Sequence, residues 1–314
     1  MIHPNRTLTV LSAPSVWDDN YKEDFIDIIS FQLDFAKTIH EYENVVILAD
    51  KHTMPYLDGR NSKIGKKLPY DALIETNIYD VNINDFAPMG YKQLAKFIYR
   101  SELLADMASI QIDDSMERFL TENRIKIENR EQDMILSGEQ IVHNGINKAL
   151  VSDSVVLENI HRLPDWAMMI KLLNSFKKAS IVILAVSPID LEVREELEKI
   201  LKKKFRNDLN FLDLPLGGAP DDDGNCGIYT AVVSNPKFVY VPVFGNDPSN
   251  WKYGYSTMTD RMVLHLLEAN SKRKIVPVNI PRAICRRGLS LRSLAWTVKG
   301  YVADSIVNLA RRKF

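Results

Sequence analysis

Several features that would mark a particular class of protein are missing from this sequence. The 314-residue chain has only two cysteines, Cys226 and Cys285, which are too few for a disulfide framework, and no Cys/His spacing resembles a zinc site. No apolar run approaches the ~18 residues needed to span a bilayer. Residues 1–10 also lack the apolar segment of a signal peptide. We therefore expect a cytoplasmic protein without a membrane segment, and without a metal or other cofactor.

An excess of charge of either sign is missing as well. The 40 Lys and Arg residues balance the 41 Asp and Glu residues, which leaves a formal net charge of -1. A general nucleic-acid binder needs a basic excess, because its cations displace counterions from phosphates. We therefore expect no nucleic-acid partner. A small ligand and a protein partner are the alternatives that remain.

What the sequence does contain is an alternation of short apolar runs and amphipathic segments. Apolar runs predict strands at 7–11, 44–49, 180–186, 238–244 and 274–278. Helical spacing of apolar residues predicts helices at 22–42, 89–112, 164–178, 190–204, 259–270 and 300–312. No long linker rich in Gly, Ser or Pro divides the chain. We therefore expect one α/β domain over residues 1–314.

The segment Asn77–Pro88 carries the most chemical information. Asp80 and Asp85 bracket an alternating stretch that ends at a proline. Two carboxylates at a strand end can converge on one cation, and a guanidinium suits them because its planar N–H groups bind carboxylates in a bidentate manner. The plainer alternative is a strand-to-turn junction, in which Asp is a common turn residue.

Four segments, in order, resemble motifs of agmatine deiminases and bacterial peptidylarginine deiminases. In the first, Asp80, Asp85 and Pro88 stand where the motif Asp-x-Trp-x-Arg-Asp-x-Gly-Pro has its two acids and its proline. The other three segments are 136–141, 222–228 and 288–295. They resemble a glycine-containing strand, an Asp-Gly-His-x-Asp loop and a terminal Gly-Gly-x-x-His/Arg-Cys-Leu-Thr motif. The resemblance implies the pentein fold, an α/β propeller of five blades around a polar channel.

The resemblance also implies catalytic groups that this sequence lacks. In the resembled enzymes a cysteine thiolate attacks the guanidinium carbon, a histidine carries the proton, and two carboxylates hold the guanidinium. Here Ser293 takes the cysteine position, Asn225 the histidine position and Gly227 the position of one acid. A serine hydroxyl needs a positioned base, and an amide cannot supply one. We therefore expect a binding or regulatory protein that does not deiminate, or one with altered chemistry.

Two alternatives stay open. In the first, Cys226 or Cys285 replaces the missing nucleophile, and the chain hydrolyses guanidine C–N bonds while Asp80 and Asp85 hold the guanidinium. In the second, the motif matches are accidental and the chain is an unrelated α/β interaction protein.

Basic and acidic clusters bear on the ligand and on metal binding. Arg292, at the His/Arg position of the terminal motif, is a candidate ligand-binding residue, and Arg286 and Arg287 lie near it in sequence. If these arginines face the cavity, an anionic ligand becomes an alternative to a guanidine. The loop 217–227 contains three consecutive acids but lacks the alternate spacing and final Glu of an EF-hand loop. We therefore expect no metal there.

Overall fold

The computed structural model describes most of the chain and divides it into two compact units. The described residues are 7–90, 94–101, 104–143, 148–152, 154–163, 180–184, 191–204, 212, 214 and 224–312. Unit 1 comprises Met1–Asn84, Asp114–Lys126 and Leu214–Phe314. Unit 2 comprises Asp85–Asp113 and Ile127–Asp213.

Short strands and helices alternate along the described residues. The strands are β1 (Leu8–Ser12), β2 (Asn44–Ala49), β3 (Leu73–Glu75), β4 (Met89–Gly90), β5 (Leu94–Ile98), β6 (Asn129–Ile135), β7 (Ile141–His143), β8 (Lys148–Ser152), β9 (Ser180–Leu184), β10 (Val233–Ser234), β11 (Phe238–Val243), β12 (Lys274–Asn279) and β13 (Trp296–Val298). The α-helices are α1 (Phe25–His40), α2 (Met54–Leu57), α3 (Ile83–Phe86), α4 (Asp106–Glu122), α5 (Ser154–Asn159), α6 (Leu191–Lys204), α7 (Pro248–Trp251), α8 (Thr257–Asn270), α9 (Arg282–Cys285) and α10 (Tyr301–Arg311). Two 3-10 helices are Tyr70–Ala72 and Gly138–Gln140.

The main sheet of unit 1 has the order β13-β1-β2-β3. β1, β2 and β3 run parallel, and β13 runs antiparallel to β1. Parallel neighbours need a crossover connection, which α1 supplies between β1 and β2. Every residue of β1 and β2 is buried, as expected for strands that are covered on both faces. The core on the α1 side includes Phe35, Leu33 and Ile47.

One strand pattern recurs in all four described sheets. β4-β5-β6, β7-β8-β9 and β10-β11-β12 each pair their first two strands antiparallel and their last two parallel. β13-β1-β2 has the same arrangement. The sequence shows no matching residue repeat, because an antiparallel pair followed by a helical crossover needs only a pattern of apolar residues and not particular side chains.

Most of the predicted elements are confirmed, with ends that shift by a few residues. The strand predicted at 44–49 coincides with β2, and the helices predicted at 22–42, 190–204, 259–270 and 300–312 correspond to α1, α6, α8 and α10. The segment 136–141, which resembles a strand of the deiminases, instead contains the 3-10 helix Gly138–Gln140, and β7 begins only at Ile141 and pairs antiparallel with β8. The helix predicted at 164–178 lies outside the described residues.

The helix predicted at 89–112 is wrong over most of its length. β4 and β5 occupy its first half, and α4 begins only at Asp106. Leu94, Phe97 and Ile98 satisfy helical spacing, but a segment this short with mostly apolar residues also fits a buried strand. The parallel pairing of β5 with β6, about 35 residues further along, decides the outcome.

β5 also carries a buried cation. The side chain of Lys96 is only 4% exposed, and its ammonium binds Asp113, which is 17% exposed, and the carbonyl of Phe97 at 2.6 Å. Lysine is seldom buried unless it is paired. The ion pair therefore links β5 to Asp113 in the first half of α4.

We predict that Asp113→Ala lowers the free energy of unfolding by about 3 kcal/mol, because it leaves a buried ammonium without a counter-charge. Urea unfolding would measure the loss, and Lys96→Met combined with Asp113→Leu should recover most of it. Glu198→Ala is the control, because its ion pair with Lys202 is exposed and should matter by less than about 0.5 kcal/mol. A loss no larger than that of the control would contradict the prediction.

Candidate functional site

The candidate site residues of unit 1 lie at the carboxyl edge of its parallel strands. Asp80 follows β3, and Cys285 follows β12. β10 and β13 run antiparallel to their neighbours, so Asn225 and Ser293, which precede them, lie at the same edge of their sheets. Ligands of open α/β sheets bind outside the carboxyl ends of the strands. The topology therefore places the sequence-predicted residues where a ligand site is expected.

Asp80 is a buried carboxyl group with one oxygen held in place. Its Oδ1 accepts hydrogen bonds from the backbone N–H of Asn82 at 2.7 Å and the hydroxyl of Tyr21 at 3.2 Å. Its carbonyl accepts a hydrogen bond from the Ser12 hydroxyl. Within the described residues, both side-chain hydrogen bonds go to Oδ1. No side chain among the described residues donates to Oδ2, although the backbone N–H of Val81 also acts on this carboxyl.

The environment of Asp80 disfavours its charge. Burial raises the pKa of this carboxyl to about 6, although the hydrogen bonds from Asn82 and Tyr21 act in the opposite direction. The negative charge of Asp18 contributes to the increase. The pKa of Asp18 is itself raised, mainly by burial. A cation bound beside these two carboxyls would reverse both effects.

We predict that Asp80→Asn stabilises the protein at pH 7.5 and not at pH 4. Because the folded-state pKa lies above the unfolded value of 3.8, the stability that Asp80 contributes is complete below about pH 4 and is lost as the pH rises through 6. An amide avoids this loss, which is on the order of 3 kcal/mol. Melting temperatures of both proteins across this pH range would measure the difference. An equal shift at both pH values would contradict the prediction.

Asn225 is held by hydrogen bonds to the turn that follows α9. Its backbone N–H donates to the carbonyl of Cys285 at 2.8 Å, and its side-chain Nδ2 donates to the carbonyl of Gly288. The approach is close because Gly224 has φ +58°, and a Cβ there would lie 2.5 Å from the Cys285 carbonyl oxygen. Asn225 therefore acts as a structural tether. Residues 215–223, which include the three consecutive acids, lie outside the described residues.

Two tyrosines hold the loop that follows Asn225. The hydroxyl of Tyr255 donates to the carbonyl of Cys226 at 3.2 Å. The hydroxyl of Tyr229 donates to buried Asp260 at 2.7 Å, and burial raises the pKa of this tyrosine. Asp260 also accepts the backbone N–H of Gly245 at 2.8 Å. The loop is therefore fixed on both sides of Gly227, the glycine at the acid position.

A disulfide joins Cys226 to Cys285. Their Cα atoms lie 4.7 Å apart, and 59 residues of sequence separate them. The sequence prediction treated both as candidate nucleophiles, but a sulfur in a disulfide is not a thiolate. Either role therefore requires the reduced chain. The spacing of two cysteines contains no signal for this pairing, which only the contact between the loop at 224–227 and α9 brings about.

We predict that the protein purified without reductant shows no thiol when it is titrated in denaturant. Replacing both cysteines, as Cys226→Ser with Cys285→Ser, should lower the free energy of unfolding by roughly 3–4 kcal/mol, because the link restricts the unfolded chain. Dithiothreitol should lower the melting temperature of the wild type and leave that of the double variant unchanged. Two titratable thiols in the untreated protein would contradict the prediction.

Ser293 has no base beside it among the described residues. Its side chain is 9% exposed, its Oγ shares a hydrogen bond with the Oγ of Ser290, and its N–H donates to the same Ser290 oxygen at 3.0 Å. Its carbonyl accepts the N–H of Asn84 at 2.9 Å. Another hydroxyl cannot take its proton near neutral pH, so this arrangement does not activate Ser293 as a nucleophile.

Two of the three arginines are engaged by acids of the N-terminal loop. Arg287 Nε binds Asp24 and its Nη1 donates to the carbonyl of Asn20 at 2.6 Å. Arg286 lies 3.7 Å from Asp24. These cations are therefore compensated, which weakens the case for an anionic ligand. Arg292 is partly exposed, and its role in ligand binding stays a prediction.

Asp85, the second predicted carboxylate, belongs to unit 2. Asp85 is 5% exposed and lies in α3. Its cooperation with Asp80 stays a prediction. Sequence reasoning missed Tyr21 and Asp18, which are about 60 residues from Asp80 in the chain. No motif marks them, and only the parallel pairing of β1, β2 and β3 brings their loops to one edge.

The described residues show neither a membrane helix nor a metal cluster. No helix among them is long and apolar enough to cross a bilayer. No three His, Cys, Asp or Glu side chains in this part of the chain lie close enough together to hold a metal ion.

Known structures resemble this chain along nearly its whole length. No family model and no curated protein matches the sequence. Agmatine deiminase from C. jejuni matches with a TM-score of 0.70, 20% identity and 94% coverage of both chains. Agmatine deiminase of Enterococcus faecalis matches with a TM-score of 0.68, 13% identity and coverage of 94% of this chain and 93% of that one. A candidate peptidyl-arginine deiminase matches with a TM-score of 0.69 and 13% identity, and the match covers 94% of this chain and 97% of that one.

These matches confirm the resemblance to agmatine and peptidylarginine deiminases at the level of the fold. The chain has the mixed α and β content and the pentein fold of these proteins. The likeness argues against the alternative of an unrelated α/β fold. At such low identity it shows the fold and leaves the chemistry to be argued from the site.

Proposed function

We propose that this chain is a divergent relative of the deiminases that binds a small guanidino compound through Asp80 and does not deiminate it. One observation carries the proposal, namely the buried carboxyl of Asp80, whose Oδ1 is held by Asn82 and Tyr21 while no side chain among the described residues donates to Oδ2. A buried acid that titrates near 6 lowers stability at neutral pH. Such a cost is typical of residues that are retained for function.

A guanidinium fits the acceptors around Asp80. It brings a positive charge and a planar set of N–H donors, and a carboxylate accepts two of them at once. The Oδ1 atom of Asn82 is buried and has no hydrogen-bond partner within the described residues, so it is a further acceptor beside Asp80. We propose that Asp85 supplies the second carboxylate, as the resemblance implies.

The proposed loss of chemistry follows from three positions. Ser293 shares a hydrogen bond with the hydroxyl of Ser290, and Asn225 donates one to the carbonyl of Gly288. Gly227 has no side chain. The loss of a nucleophile alone removes several powers of ten in rate in comparable enzymes. Binding does not need these groups. A cysteine-to-serine variant of C. jejuni agmatine deiminase matches with a TM-score of 0.69 and 19% identity, and that structure has its substrate bound.

Other parts of the proposal rest on the resemblance. We propose that residues 1–314 form one domain with the five-bladed arrangement of the pentein fold, and four repeats of the strand pattern among the described sheets support this. A protein partner and a cytoplasmic location also stay proposals. The disulfide weighs against the location, because disulfides are rare in cytosolic proteins.

A second candidate function is an active guanidine hydrolase that works only after reduction. The observation that favours it is the position of Cys226 between Asn225 and Gly227, which places a sulfur at the loop that carries the proton-transfer residues in the resembled enzymes. Reduction by a dithiol would give two thiols, and the Cys226 thiolate would then be the nucleophile.

We predict that calorimetry at pH 7.5 detects binding of agmatine, arginine or an arginine peptide, and that Asp80→Asn weakens it about 10- to 100-fold, because a charged hydrogen bond is lost. Binding by the wild type should weaken below pH 6, where Asp80 becomes protonated. Asp304→Asn is the control, because this aspartate lies exposed on α10. If Asp80→Asn bound these ligands with the same affinity as the wild type, the proposal would be wrong.

Ammonia release under the same conditions separates the two candidate functions. Binding without ammonia, in dithiothreitol as well as in its absence, supports the binding protein. Ammonia that appears only in dithiothreitol and is lost in Cys226→Ser supports the hydrolase. Ser293→Cys alone should not create activity, since no base lies beside residue 293 among the described residues.

A further inference from the structure

Three large apolar side chains are exposed directly beside candidate site residues in unit 1. Trp17 is 73% exposed, Tyr79 is 44% exposed and Ile228 is 38% exposed. Each is the sequence neighbour of a residue already discussed, namely Asp18, Asp80 and Gly227. Single exposed apolar residues are common on protein surfaces. Three of them, each next to a site residue on a different loop, call for a functional explanation.

The topology places all three loops at the carboxyl edges of the parallel strands in their sheets. Trp17 follows β1, Tyr79 follows β3, and Ile228 precedes β10, so all three lie at the carboxyl edges of the parallel strands. The indole of Trp17 also meets the ring of His52, which follows β2, at 6.0 Å between ring centroids in an edge-to-face contact. This contact orients the indole while most of its surface stays open to solvent.

The loop that carries Trp17 reaches Asp80 directly. Tyr21, four residues after Trp17, donates its hydroxyl to Asp80, and the charge of Asp18 acts on the same carboxyl. The backbone N–H of Trp17 donates to the Ser15 hydroxyl at 3.3 Å, which helps to shape the turn. A ligand whose cation lies on Asp80 would therefore have its remaining part close to the loop of Trp17.

We propose that Trp17 is a specificity-determining residue that packs against the body of the ligand, so that the protein prefers a guanidinium carried on an apolar or aromatic body over a bare guanidinium. This inference rests on the proposed function and names the ligand class of the same site. Aromatic side chains offer a large contact area, and pairs of aromatic rings add to the effect of burial alone. A bare guanidinium can use Asp80 but offers nothing to the indole.

The experiment compares two ligands and five proteins, namely the wild type and four variants, by calorimetry and by intrinsic fluorescence at pH 7.5. Benzoyl-arginine amide has the guanidinium and an aromatic body, whereas methylguanidine has the cation alone. Trp17→Ala should weaken binding of benzoyl-arginine amide about tenfold and leave methylguanidine unchanged. Trp17→Phe should keep most of the affinity, since a flat ring remains.

Trp251→Ala is the matched control, because that tryptophan is 60% exposed and lies on α7, where its indole N–H binds the Gly245 carbonyl at 2.7 Å. It should bind both ligands like the wild type. The ligand-induced fluorescence change should persist in Trp251→Ala and disappear in Trp17→Ala.

Two results would overturn the inference and differ in what they say about the proposed function. If Asp80→Asn abolishes binding of both ligands but Trp17→Ala changes neither or weakens both equally, Trp17 does not determine specificity, although the guanidinium site stands. If neither ligand binds the wild type, both the site and the role of Trp17 fail.

Discussion

The candidate site of unit 1 is built around one buried carboxyl group in an environment that disfavours its charge. Asp80 is 7% exposed, with its Oδ1 fixed by Tyr21 and the backbone of Asn82, and with the negative charge of Asp18 acting on it. A buried charge is tolerated when it is paired. A cationic ligand is the partner that would both neutralise Asp80 and use its Oδ2, so ligand binding and local stability are coupled at this side chain.

The loops around Asp80 are fastened together rather than left free. Arg287 ties the N-terminal loop to the turn after α9, and the disulfide and Asn225 tie that turn to the loop before β10. Ser293 accepts the N–H of Asn84 and so links the turn before β13 to the segment of Asp80. Such cross-links reduce the ordering that binding would otherwise require, which is a general route to affinity.

The departures from the deiminase motifs have consistent structural consequences. Asn225 and Ser293 make hydrogen bonds to a carbonyl and to a hydroxyl, respectively, where a catalytic histidine and cysteine would exchange a proton and attack a carbon. Both side chains therefore hold the local chain in place. The fold of the deiminases is retained, and the loss of their chemistry in this chain stays a proposal.

The sequence by itself determined the α/β class and most of the helices and strands, because these depend on local apolar periodicity. It misassigned residues 89–112, since the apolar residues Leu94, Phe97 and Ile98 fit the spacing of a helix although they lie in a short buried strand. Only the tertiary structure decided that β5 is a strand, that Tyr21 and Asp18 act on Asp80, and that Cys226 meets Cys285. These contacts join residues about 35 to 60 positions apart, and parallel strand pairing and loop packing create them without leaving a local pattern in the sequence.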